Sequence, residues 1–199
     1  NKGVEATIRV MPINIPSQQL NLNIVATASH NKNRIAKISN ALKASNEEVL
    51  RRDKRGNSRP LPRYEEGYSQ SMIWAVRSLG IDPQTGEEIF LTRSGERSYR
   101  WDPVDMVPVG DTEPKVTGVV SLNLNWRGLS LSLASRYSYG GMLYNYTLVD
   151  KVENADLRYN VDKRAYTERW KKAGDVSRFK AVNIQGANTK ACLLYTSPS

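Results

Sequence analysis

The chain has 199 residues, of which 39% are hydrophobic and 25% charged, and its mean hydropathy is −0.55. Its 29 basic and 20 acidic residues give a formal charge of +9. No apolar run approaches the roughly 18 residues of a membrane-spanning helix, which excludes a helical span but not a spanning β-strand, because a strand needs an apolar residue only at every second position. The single cysteine, Cys192, excludes an internal disulfide framework and a multi-cysteine zinc site.

The first predicted element is a β-hairpin over residues 4–30. Apolar residues alternate with mostly polar ones from Leu20 to Ala28, and Pro16–Gln19 forms a short loop before them. The preceding strand, Glu5–Ile15, changes its alternation near Pro12. Because proline cannot donate a hydrogen bond to the ladder, we predict a β-bulge at that position.

Residues 31–115 form a connection that is too long to lack structure of its own. A short helix is predicted after Asn33 from the spacing of Ile35, Ile38, Leu42 and Val49. Strands are predicted at 71–76 and at 88–91, flanking a stretch dense in turn formers at 80–86.

The basic excess is spread thinly along the chain. Its densest cluster, Arg51–Arg55 with Arg59 and Arg63, lies in the same long connection among glycine, serine and proline residues. Such a composition favours a solvated loop, so no nucleic-acid partner is expected.

A second hairpin over residues 116–139 gives the strongest pattern in the sequence. Apolar residues occupy most even positions from Val116 to Trp126 and most odd positions from Leu129 to Tyr139. A two-residue turn at Arg127-Gly128 then pairs apolar with apolar residues and produces one apolar face. The predicted pairs are Trp126 with Leu129, Leu124 with Leu131, and Leu122 with Leu133.

A second long connection, residues 140–191, follows, and Val161–Trp170 is predicted to form a helix that stops before Gly174. Short turns that alternate with long, elaborated connections are typical of outer-membrane barrels, whose periplasmic turns are short and whose external loops are long. We therefore predict an all-β fold: a partial antiparallel transmembrane β-barrel of about four long strands in two hairpins. The external loops at 31–115 and 140–191 are expected to contain short helices.

Three features favour a membrane sheet over a soluble one. Each strand of the second hairpin has about 11 residues, enough to cross a bilayer when tilted and longer than the usual soluble strand. Aromatic residues stand at both ends of the apolar face, Trp126 at one and Tyr137 with Tyr139 at the other. The opposite face is small and polar, and Arg136 is expected to point into a wet interior.

The sequence contains no catalytic constellation, and no catalytic, cofactor-binding or metal-binding residues are assigned. His30, the only histidine, follows a predicted strand end and is interpreted as a loop residue. Asp82, Glu87 and Glu88 lack the ligand spacing of a calcium loop. The aromatic residues of the long connections have two possible roles, stacking on sugar rings or, as we favour, loop packing or contact with a partner protein: Tyr64, Tyr68, Trp74, Tyr99, Trp101, Tyr144 and Tyr146.

Four motifs occur in a characteristic order: Gly80–Glu87, Gly110–Lys115, Tyr137–Asn145, and Val161–Arg164 with Arg169–Asp175. Together they resemble the C-terminal barrel region of SusC/RagA-like TonB-linked outer-membrane transporters, over roughly residues 1–190. The resemblance implies a 22-stranded barrel with a plug, a SusD-like surface lipoprotein, energy from the TonB complex, and oligosaccharide or peptide substrates. It also implies the outer membrane of a Gram-negative, Bacteroidota-like bacterium, with lipid around the barrel.

Four strands cannot close a barrel, and open sheet edges are not tolerated in lipid. We therefore expect residues 1–191 to be a fragment of the barrel domain, without plug, TonB box or closing strand. Residues 192–199, Cys192 to Ser199, resemble the in-frame translation of a sequencing adapter and are set aside from the fold. Two rivals stay open: a soluble β-sandwich that binds carbohydrate, and an outer-membrane adhesin without transport.

Overall fold

The computed structural model describes residues 1–52, 60, 62–153, 155, 160–181 and 194–196. The chain forms two compact units: a sheet unit, built from Asn1–Arg34 and Thr112–Met142, and a connecting unit, built from Ile35–Asp111 and Leu143–Tyr195. The strands are β1 (Lys2–Ile15), β2 (Leu20–Lys32), β3 (Met72–Ala75), β4 (Arg77–Ile81), β5 (Glu88–Leu91), β6 (Arg97–Ser98), β7 (Val107–Asp111), β8 (Val116–Trp126), β9 (Leu129–Tyr139), β10 (Met142–Tyr144) and β11 (Leu194–Thr196). The α-helices are α1 (Asn40–Arg52), α2 (Tyr146–Leu148) and α3 (Arg164–Thr167), with 3₁₀ turns at Pro16–Gln18 and Pro103–Asp105 and a π turn at Val149–Glu153.

The sheet unit is one antiparallel sheet with the strand order β1-β2-β8-β9. Both predicted hairpins are confirmed, and the first extends two residues beyond each predicted end. The pairing of the second hairpin is the predicted one, from Trp126 opposite Leu129 onwards. The predicted bulge is also confirmed, because the β1–β2 pairing skips from Val10 to Ile13.

The connecting unit contains a sheet of β3 with β7 and a sheet of β4, β5 and β6 in that order. A further small sheet pairs β10 with β11. The strands predicted at 71–76 and 88–91 are confirmed as β3 and β5. Among the described residues, two separate apolar clusters support this unit. One is built around Trp74, Val76, Phe90 and Met106, and the other around Leu148, Val152, Ala155, Ala165 and Phe179.

The predicted first helix is confirmed from Asn40 onwards but does not include the residues before it. Ser39 begins it, since its hydroxyl accepts from the Leu42 amide at 3.3 Å. Ile35 is not helical because its amide donates to the Tyr68 carbonyl at 2.8 Å. Ile38 instead donates its amide to the Glu66 carboxylate at 3.1 Å.

The predicted helix Val161–Trp170 is wrong in extent, since α3 is a single turn, Arg164–Thr167. The Glu168 carbonyl accepts from the Phe179 amide at 3.1 Å, and the Trp170 amide donates to the Phe179 carbonyl at 3.0 Å. These bonds to a distant segment replace the bonds that would continue the helix. Among the described residues no helix has both the length and the apolar character needed to span a membrane.

Candidate functional site

One face of the four-stranded sheet is apolar over most of its area, with Ser135 and His30 as polar exceptions. Successive side chains of a strand point to opposite faces, so the register places every second residue of all four strands in rows across one face. Val4 and Leu129, at opposite ends of this apolar face, are 72% and 64% exposed. A soluble sandwich would cover these side chains. The three rows nearest the turns are Ile15–Leu20–Trp126–Leu129, Ile13–Leu22–Leu124–Leu131 and Val10–Ile24–Leu122–Leu133.

The apolar face is as tall as the hydrocarbon part of an outer membrane. Its first row contains Leu20 and its last row pairs Val4 with His30, ten residues further along β2. At about 3.4 Å per residue this distance is roughly 34 Å along the strand. A strand tilt of about 35–45° reduces it to roughly 24–28 Å, against the ~25 Å apolar band of membrane barrels.

The opposite face carries a ladder of hydrogen-bonded polar side chains. Asn125 Nδ2 donates to Asn21 Oδ1 at 3.1 Å, and Ser130 Oγ donates to Asn125 Oδ1 at 2.7 Å. One row further from the turns, Ser132 Oγ donates to Asn123 Oδ1 at 2.7 Å. These side-chain hydrogen bonds connect β2, β8 and β9 across the polar face.

The same polar face continues to the far end of the strands. The Ser29 and Thr117 hydroxyls lie 2.9 Å apart, and the Val119 amide donates to Thr27 Oγ1 at 3.1 Å. Arg136 lies opposite Val119 in the register and therefore belongs to this polar face, as predicted. The two faces of the sheet thus differ in polarity along their whole length.

A glycine makes room for an aromatic ring at one position of the apolar face. Tyr137 lies opposite Gly118 and donates its hydroxyl across β8 to the Thr27 carbonyl at 2.9 Å. A Cβ atom on Gly118 would lie 2.4 Å from the Tyr137 hydroxyl oxygen. Only glycine permits this arrangement, which ties three strands together near one end of the sheet.

The two tight turns lie side by side at the other end. Arg127 and Gly128 both have positive φ, 47° and 85°, as a type I′ hairpin turn requires. Gln19 is also left-handed, with φ 49°, and its carbonyl accepts from the Arg127 amide at 3.2 Å. The Arg127 guanidinium lies 5.9 Å from the centre of the Trp126 ring. The turn residues therefore cap the first row of the apolar face.

His30 lies inside β2 rather than after a strand end, which corrects the prediction. The strand is longer than the alternation suggested because Lys2 and Gly3 continue to pair with Lys32 and Asn31. His30 Nδ1 lies 2.5 Å from the Lys115 carbonyl oxygen, and since a carbonyl only accepts, Nδ1 is the donor. The histidine holds the beginning of β8 against β2.

Most of the loop aromatics serve packing within the connecting unit. Trp74 is 1% exposed, and the Tyr68 ring meets it edge to face at 5.1 Å. Trp101 packs against the same cluster. Tyr144 is buried and lies 4.8 Å from the Tyr146 ring, again edge to face.

Two of the four motifs form a single structural feature of the connecting unit. The turn at 82–86 is held against Trp170, whose Nε1 donates to the Pro83 carbonyl at 2.8 Å. The Gly174 amide donates to the same carbonyl, also at 2.8 Å. A Cβ atom on Gly86 would lie 2.4 Å from the Trp170 ring. The motif Gly80–Glu87 therefore packs on the motif Arg169–Asp175, and their joint occurrence has a structural cause.

The acidic residues of this turn are engaged in structure. Asp82 accepts from the Tyr99 hydroxyl at 2.5 Å and from the Gln84 amide at 2.8 Å, and these bonds hold the pKa of Asp82 below its usual value. Glu88 is buried in β5. Within the part of the chain that the structure describes, no group of three or more His, Cys, Asp or Glu side chains is placed to hold a metal ion.

Two ionisable side chains buried in the connecting unit, Arg169 and Glu153, have no counterpart among the sequence predictions. Arg169 donates to the carbonyls of Ala165, Val152 and Glu153. Glu153 is fully buried, and burial raises its pKa to about 7 although Lys180 and Arg169 lower it in part. Burial also lowers the pKa of Arg169. Only long-range packing shows this pair, so no local pattern reveals it.

Long antiparallel strands, one largely apolar face and elaborate connections define the class of fold: this is part of an antiparallel β-barrel. No family model matches the chain, and neither does any curated protein. The structure is similar to that of the RagAB peptide importer in its open-open state, with a TM-score of 0.71 and 19% identity over 98% of this chain and 20% of that chain. A structure of the RagAB peptide transporter matches with a TM-score of 0.60 and 17% identity, over 89% of this chain and 20% of that one.

The chain thus spans about a fifth of the length of the chains that it matches. At this level of identity the likeness concerns the fold. It confirms the resemblance to SusC/RagA-like transporters and the predicted class of a partial antiparallel β-barrel. The structural neighbours are transporters, not enzymes.

Proposed function

We propose that the chain supplies wall and external loops to a TonB-dependent importer in the outer membrane of a Gram-negative, Bacteroidota-like bacterium. The complete transporter takes up oligosaccharides or peptides together with a SusD-like surface lipoprotein and draws its energy from the TonB complex. It has no enzymatic activity. The wall comprises residues 4–30 and 116–139, and the external loops comprise 31–115 and 140–191.

One observation carries this proposal: the sheet has an uncovered apolar face of bilayer height and a polar reverse face. Large apolar side chains left in water would be costly, whereas hydrocarbon solvates them. The Asn–Ser ladder on the reverse side suits a hydrated interior, because its polar groups are hydrogen-bonded and still able to meet water.

This geometry gives the sheet unit and the rest of the transporter different roles. The sheet unit separates lipid from a polar lumen, and the short turns at Pro16–Gln18 and Arg127-Gly128 close its periplasmic side. Its outer strands, β1 and β9, pair with further strands of the complete barrel, because lipid does not tolerate an open edge. Substrate affinity and gating come largely from other parts of the transporter.

The experiment that tests this proposal compares Leu124→Arg with Asn123→Arg in the full-length protein. Leu124 lies in the second apolar row, and its neighbour Asn123 lies on the polar face. Leu124 lies between the membrane interface, where arginine costs about 0–1 kcal/mol, and the midplane, where it costs about 2–4 kcal/mol, so arginine there should cost roughly 1–3 kcal/mol in bilayers. Arginine at 123 should cost far less, because its face is polar. Urea titration in lipid vesicles measures both. Folding to a stable monomer without detergent or lipid would contradict the proposal.

A further inference from the structure

Two lysines stand side by side at the end of the apolar face that lies away from the tight turns. Lys2 and Lys32 are directly opposite in the β1–β2 register, and both are exposed. They are two residues beyond Val4 and His30 on their strands, so their side chains emerge on the apolar face. No ion pair involving either lysine is found among the described residues.

Like charges directly opposite each other destabilise a strand pair. A sheet that pairs two lysines in this way therefore gains from an anion that bridges them. The neighbouring row of this face includes His30 on β2 and Tyr139 on β9, both amphipathic side chains that suit a membrane interface. The lysine pair thus marks the place where the apolar face ends and polar surroundings begin.

This inference rests on the proposed function, because it requires lipid on the apolar face. Two further residues add roughly 7 Å along the strand, or about 5 Å along the membrane normal at a tilt of ~40°. That step moves the ammonium groups out of the hydrocarbon and into the depth of the lipid headgroups. Long lysine side chains reach further in the same direction.

We propose that Lys2 and Lys32 together bind the phosphate group of a phosphorylated membrane lipid whose acyl chains cover the apolar face. Each ammonium group donates hydrogen bonds to phosphate oxygens, and lysine is a common phosphate-binding residue. The lipid phosphate removes the repulsion between the two lysines. The acyl chains contribute binding that a free phosphate ion lacks.

The test uses the full-length protein in mixed micelles, with phosphatidic acid and phosphatidylcholine as competing probes and native mass spectrometry as the readout. Unmodified protein should retain phosphatidic acid in preference to phosphatidylcholine. The double variant Lys2→Gln/Lys32→Gln should reduce that preference by about 30-fold, because two interfacial charges are lost. The control Lys43→Gln/Lys151→Gln removes the same charge at exposed positions outside the sheet and should leave the preference unchanged.

An equal preference in the double variant and the control would overturn the proposal. It would also be overturned if inorganic phosphate displaced phosphatidic acid at equal concentration, since the site would then be one for free anions. In both cases retained phosphatidylcholine would show that the apolar face still binds lipid, so the proposed function would stand. Retention of neither lipid would overturn both.

Discussion

Alanine substitutions at Gly86 and Gly95 distinguish two contributions to the free energy of unfolding, backbone strain and a steric clash. Both have positive φ, 73° and 91°, but a Cβ atom on Gly86 meets the Trp170 ring whereas one on Gly95 meets nothing within 4 Å. Gly95→Ala should therefore cost only about 1 kcal/mol of strain. Gly86→Ala should cost roughly 1–3 kcal/mol more, because the ring must move.

Thermal unfolding of the two glycine variants in detergent measures this difference. Hydrogen exchange at 169–174 supplies a local readout, because the Gly174 amide is bonded to the Pro83 carbonyl of the same turn. Faster exchange is expected in Gly86→Ala alone. Equal effects of the two substitutions would show that the turn does not depend on Trp170.

Glu153 makes the connecting unit sensitive to pH. Its pKa of about 7 in the folded chain lies above the usual 4.5, so the folded state binds the proton more tightly than the unfolded state does. The stabilisation is complete below about pH 4.5 and is lost as the pH rises towards 7. The change amounts to roughly 3 kcal/mol.

Glu153→Gln should remove most of this dependence and make the unit more stable at pH 8. The neighbouring charges, Lys180 and Arg169, are unchanged in that variant. Hydrogen exchange of the π turn Val149–Glu153, measured at pH 5 and pH 8 after correction for intrinsic exchange rates, tests the expectation. A glutamine variant with the same pH dependence as the parent would contradict it.

At the scale of single elements, a substitution in the second hairpin turn is expected to increase the stability of the protein. Arg127 adopts a left-handed conformation, which arginine accepts less readily than asparagine. Arg127→Asn should stabilise the protein by about 0.5–1 kcal/mol, despite the loss of the weak contact with Trp126. Gly128→Ala, the matched control in the same turn, should destabilise it. Urea titration in vesicles measures both, and a destabilised Arg127→Asn would refute the type I′ assignment.

The long strands are predictable from the sequence because alternation is a local signal that fixes face, register and turn together. Shorter elements escape prediction for identifiable reasons. β7 contains Pro108 and Gly110, residues that normally argue against a strand, and β4 contains Gly80 at a register shift. α3 is ended by bonds to Phe179, which no helical pattern reveals.

The candidate site likewise has features that are predictable from the sequence and features that are not. The polarity of its two faces is predictable from the sequence, because apolar and polar residues mostly alternate from Val116 to Tyr139. The Tyr137–Thr27 bond, the contact of Gly86 with Trp170 and the burial of Glu153 join residues far apart in the chain, so only the structure shows them.

At the scale of the whole molecule, the sheet depends on one long-range pairing. β2 and β8 are separated by the long connection from residue 33 to residue 115, yet they pair in a continuous register from Leu20–Trp126 to Ser29–Thr117. This register aligns the apolar faces of the two hairpins. Without it each hairpin would be too small to form a lipid-facing wall.

The most direct test of a lipid-facing wall is a cysteine scan of residues 119–126 in the full-length protein, with its other cysteines removed. Each cysteine is labelled with an environment-sensitive fluorophore, and quenching by lipids with brominated acyl chains is measured in vesicles. Quenching should alternate, strong at the even positions Val120, Leu122 and Leu124 and weak at the odd positions between them. Equal quenching at even and odd positions, or none at all, would contradict a membrane-spanning sheet.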